Sequence, residues 1–72
     1  MKLQSYLTDT IWFLYIKDDK TGRYHAYNWN SSRFVGNLIY ATIFNETDRL
    51  KAEESLQLPE NSHIQYQFRK AT

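Results

Sequence analysis

The chain has 72 residues, a net charge of +1, no cysteine, and twelve aromatic side chains (two Trp, six Tyr, four Phe). That length makes one domain, residues 1–72, with a thin core that buries roughly 60% of the unfolded surface. Disulfides and cysteine-ligated metal knuckles are excluded, no apolar run has the length that spans a bilayer, and the balanced charge is unlike that of a dedicated duplex-DNA binder.

Residues 1–9 are mixed and polar and read as an irregular lead-in or an edge strand through Leu3, Tyr6 and Leu7. They carry no export signal, because the apolar run that follows is short and ends in charge at Lys17, Asp18 and Asp19. A cytoplasmic protein is therefore expected. The run itself, Ile11 to Ile16, puts large apolar side chains on both faces of a strand. It predicts the central strand of a small sheet, from about Thr10 to Lys17. Asp18 to Gly22 then supplies turn chemistry, Asp through local hydrogen bonds and Gly through positive φ.

A second strand is expected from Arg23 to Trp29. Tyr24, Ala26 and Asn28 fall on one face, and Arg23, His25, Tyr27 and Trp29 on the other. Asn30-Ser31-Ser32 breaks the pattern, and Arg33 to Asn37 reads as a loop with Gly36 at a positive φ. Leu38 to Phe44 reads as a strand on its β-branched and aromatic content. Asn45 is placed to cap a helix from Glu46 to about Gln57, with Glu46 and Asp48 in the first turn where the helix dipole favours acids. Pro59 marks its end through Leu58. In the last segment Ile64, Tyr66 and Phe68 alternate with His63, Gln65, Gln67 and Arg69, which predicts a half-buried strand. The expected fold is a two-layer α+β domain, an antiparallel sheet of about four strands with one α-helix in β-β-β-α-β order.

Nothing in the chain spells out a reaction. Its serines lie in polar turns or on the helix, without the strained elbow that a nucleophilic serine needs. His25 and His63 sit on separate strands at no metal-ligand spacing and read as strand-surface residues. Asp18 to Gly22 lacks the ligand spacing of a calcium loop. The expectation is a non-enzymatic protein without catalytic residues, metal or cofactor.

Two sets of residues are suited to binding. Arg23, Tyr27, Trp29 and Arg33 interleave cations with aromatic rings, as protein hot spots and single-stranded nucleic-acid sites both do. The near-neutral charge favours a protein partner over nucleic acid. Glu46, Asp48, Glu53 and Glu54 make the helix acidic, and the last two lie in its closing turns, where the dipole opposes them. They are suited to a basic protein surface or to a solvated helix face. A homodimer through an uncovered sheet face or edge is a further expectation.

The order of an aromatic strand, D-D-K-T-G-R-Y, A-T-I-F-N-E-T-D-R-L-K-A-E-E-S-L and an alternating closing strand resembles small orphan proteins of phages and mobile elements. Several anti-CRISPR proteins have this size and build. The resemblance spans about Ile11 to Arg69 and implies a stoichiometric inhibitor that occupies a surface of a CRISPR nuclease complex. Under it, the helix acids would meet protein that otherwise holds phosphate. A single-stranded nucleic-acid module and a phage structural subunit are the alternative readings.

Overall fold

In the computed structural model, which describes residues 10–71, the apolar run becomes the central strand of a five-stranded antiparallel sheet. The elements in chain order are β1 (Trp12–Asp18), β2 (Arg23–Asn28), β3 (Arg33–Phe34), a 3-10 turn (Leu38–Tyr40), β4 (Ile43–Phe44), α1 (Glu46–Leu56), a second 3-10 turn (Pro59–Asn61) and β5 (Tyr66–Lys70). The lead-in expected over residues 1–9 lies outside the described residues.

β5 pairs along β1 from Trp12 to Ile16. On the other edge of β1, β2 takes Tyr15 to Asp18 and β4 takes Trp12 and Phe13. β3 extends the sheet beyond β2. Its even-numbered side chains Trp12, Leu14 and Ile16 join the core, and its odd-numbered Phe13 and Tyr15, flanked by strands on both edges, are half-buried on the other face, so the run is apolar instead of alternating.

One face of the sheet carries the core. Leu14 is fully buried, and Phe44, Ala52 and Leu56 close around it. Leu14 lies opposite Phe68, and Ile16 opposite Tyr66, so β1 and β5 present matched apolar rows to α1. Phe44 and Phe68 meet edge to face with ring centres 5.4 Å apart, as do Trp29 and Phe44 at 6.3 Å, a geometry the ring quadrupoles favour. α1 buries only Ala52 and Leu56, a narrow stripe that covers part of the sheet.

Asn45 caps α1 by accepting a hydrogen bond from the Asp48 amide at 2.7 Å. The β1–β2 turn closes through the Gly22 amide, which donates to the Asp18 carbonyl at 2.7 Å, and through the Asp18 side chain, which accepts from the Lys20 amide at 2.9 Å. Gly22 has φ 72, a conformation that L-residues rarely adopt.

Three expectations are corrected. Positive φ beyond β2 falls at Ser32, with φ 55, and not at Gly36. Asn28 accepts from the Ser31 amide, which draws the chain into a tight turn at Ser32. The Arg33 to Asn37 loop contains the two-residue β3, since Arg33 and Phe34 can still pair with Asn28 and Tyr27. The strand expected over Leu38 to Phe44 shrinks to Ile43 and Phe44. Asn37 accepts from the Ile39 amide through its side chain and from the Tyr40 amide through its carbonyl, and these local bonds outcompete a ladder over Leu38 to Tyr40.

Candidate functional site

The acidic helix is partly consumed by the fold. The Arg49 guanidinium donates to Glu46 at 2.6 Å and to Glu53 at 3.0 Å. It lies over the Trp12 ring, 4.7 Å from the ring centre. Trp12 donates its indole N–H to Glu46 at 3.0 Å, and the Tyr66 hydroxyl donates to Glu53 at 3.3 Å. The hydrogen bonds from Arg49, then that from Trp12, hold the Glu46 carboxyl below its ordinary value. Donating to Glu46 in turn raises the Arg49 guanidinium above its own ordinary value. Glu46 and Glu53 thus clasp α1 to β1 and β5. Asp48 and Glu54 remain on the exposed side of the helix.

The aromatic and basic set is divided as well. Tyr27 and Trp29 pack against the core cluster. Tyr27 also meets Phe34 edge to face at 5.4 Å, and the Trp29 amide donates to the Thr42 hydroxyl at 2.7 Å. Arg23 and Arg33 are exposed. The two rings therefore serve packing and the two cations face solvent. His25 lies 3.3 Å from the Thr21 hydroxyl and against Phe34. Among the described residues no three His, Asp or Glu side chains converge as metal ligands.

A groove of about 600 Å³ runs between the end of β2 and α1, bounded by Trp29, Thr42, Asp48, Lys51 and Ser55. A second, of about 410 Å³, lies over the part of the core face that α1 does not reach, bounded by Ile16, Tyr27, Phe34 and His63.

Among the described residues no helix lies on the opposite face of the sheet. Cross-strand register assigns it directly, because residues opposite one another in a ladder share a face. Phe13 faces Ile43 and Arg69, Tyr15 faces Ala26 and Gln67, Lys17 faces Tyr24, and Asn28 faces Arg33. At one end of this face the Asn28 side chain donates to the Tyr40 carbonyl at 2.7 Å and so anchors the 3-10 turn beside the sheet. Ile39 is 75% exposed, and Tyr40 and Ile43 are each 63% exposed. Arg69 lies over Tyr15, its guanidinium carbon 4.0 Å from the ring centre, and its Nε donates to Gln67 at 3.1 Å.

Neither set singled out in the sequence includes Phe13, Tyr15, Tyr24, Ile43 or Arg69. The signal was present in the apolar run of β1, whose odd-numbered positions must face away from the helix. No family model, curated protein or solved structure matches the chain.

Proposed function

We propose that the chain is a non-enzymatic binding protein that acts by occupying a surface of another protein. Following the resemblance to anti-CRISPR proteins, that target is a CRISPR nuclease complex. The observation that carries the reading is the exposure of Ile39, Tyr40 and Ile43 at one end of the helix-free sheet face. The cost of leaving large apolar groups in water is recovered when a partner covers them. The rim cations Arg33 and Arg69 suit the usual anatomy of such a surface, an apolar centre with a polar margin. No helix among the described residues is long and apolar enough to cross a membrane.

The test is guide-directed DNA cleavage by purified RNA-guided nuclease complexes, titrated with the chain. Cleavage is expected to stop near one equivalent, with a stable complex on a sizing column. The pair Ile39→Asp and Ile43→Asp is expected to abolish both effects, while Glu54→Lys leaves them in place. Full cleavage and no complex at a large excess of chain would contradict the proposal.

A further inference from the structure

The described carboxylates are unevenly placed. They fall in the β1–β2 turn, on α1 and in the turn that follows it. Asp18, the one acid within a strand, alternates onto the core side with Leu14 and Ile16. Among the described residues the helix-free face therefore holds Lys17, Arg33 and Arg69 with no strand carboxylate, in a protein whose net charge is only +1. None of the three cations forms an ion pair among the described residues.

The same face carries flat groups. Phe13, Tyr15 and Tyr24 are all half-buried and stand on adjacent strands. Arg69 covers Tyr15 and is tethered by Gln67, and its planar guanidinium adds a stacking group with N–H donors beside the rings. Bases stack on aromatic rings and on guanidinium planes, while nearby cations neutralise phosphates. A carboxylate-rich peptide matches the charge of this face but makes no use of its planes.

We infer that the helix-free sheet face binds single-stranded nucleic acid, with Phe13, Tyr24 and the Arg69–Tyr15 stack as base platforms and Lys17, Arg33 and Arg69 as phosphate contacts. This site does not depend on the inhibitor reading. It shares Arg33 with the Arg23, Tyr27, Trp29 and Arg33 set in the sequence but uses neither of that set's rings, which pack against the core. Three phosphate contacts give a salt slope, log K against log salt, of about −2 for a single strand. Affinity falls in the range of non-specific electrostatic binders, roughly 10⁻⁴ to 10⁻⁶ M.

The experiment is fluorescence anisotropy of the whole chain with labelled twelve-nucleotide oligo(dT) and oligo(U), from 25 to 200 mM salt. Saturable binding with that slope is expected. The double change Lys17→Glu and Arg69→Glu should weaken it at least tenfold. Tyr24→Ala should weaken it several-fold at an unchanged slope, and Glu54→Lys on the helix should change it less than twofold. Arg69→Gln, which keeps a planar group but no charge, serves if the reversed pair fails to fold, with a loss of about one in salt slope expected. Absence of binding at 25 mM salt would overturn the inference. So would equal affinity for a duplex with no effect of Tyr24→Ala, or equal affinity for poly-glutamate.

Discussion

Two single residues carry consequences that their sequence context only half announces. Gly22 has φ 72 and open space where a Cβ would stand. Gly22→Ala meets no clash, and its cost is purely conformational. A loss of about 1 kcal/mol is expected from urea denaturation, the left-handed penalty of an L-residue. Glu46 behaves differently. Its carboxyl is held below the ordinary value of 4.5 by hydrogen bonds from Arg49 and Trp12. A group depressed on folding adds stability that is complete above its unfolded pKa and disappears as pH falls through the folded one. Melting temperature should therefore drop as pH falls below 4.5. Arg49→Gln, which removes the larger of the two causes and leaves the Trp12 hydrogen bond, should melt lower at pH 5 and lose less over the same fall in pH. Identical pH slopes in both proteins would remove the clasp from the account.

At the scale of elements, the parts legible in the sequence are those whose signals are local. The β1 run, the Asp18 to Gly22 turn and the Asn45 cap lie where the residues placed them, and Ile64, Tyr66 and Phe68 all pack on the core, though the closing strand starts at Tyr66 and leaves His63 in the preceding turn. Asn45→Ala should cost about 1 kcal/mol by the same urea measurement, since it leaves an amide of the first turn without its acceptor. The segment from Arg33 to Tyr40 was less legible. β-branched and aromatic content favoured a strand over Leu38 to Phe44, but the Asn37 side chain captures the Ile39 amide and turns the chain. The aromatic and basic set is divided for a related reason. Interleaved cations and rings in Arg23 to Trp29 suggest a surface, yet the register of β2 against β1 turns Tyr27 inward and Tyr24 outward. Alternation separates the two faces of a strand without naming the one that a helix will cover.

At the scale of the molecule, the described residues set one short α-helix against five strands, and it covers a single face. The interior reduces to a few side chains around Leu14. Leu14→Ala should remove about 3 kcal/mol of stability, a typical cost for a fully buried leucine, and in a domain this small that is enough to populate unfolded chain at 37 °C. The uncovered face is the counterpart of that thin core. Its apolar end supports the proposed protein contact, and its cationic, aromatic middle supports the inferred nucleic-acid contact. Both readings share the claim that this face, and not the acidic helix, is where the molecule meets its partners. The most direct measurement is a ¹⁵N-resolved NMR titration of the chain with single-stranded oligo(dT). The account predicts saturable shifts gathered on Phe13, Tyr15, Tyr24, Arg33 and Arg69. Shifts confined to Lys51 and the rest of α1, or to Lys20 and Arg23 at the hairpin tip, would contradict it.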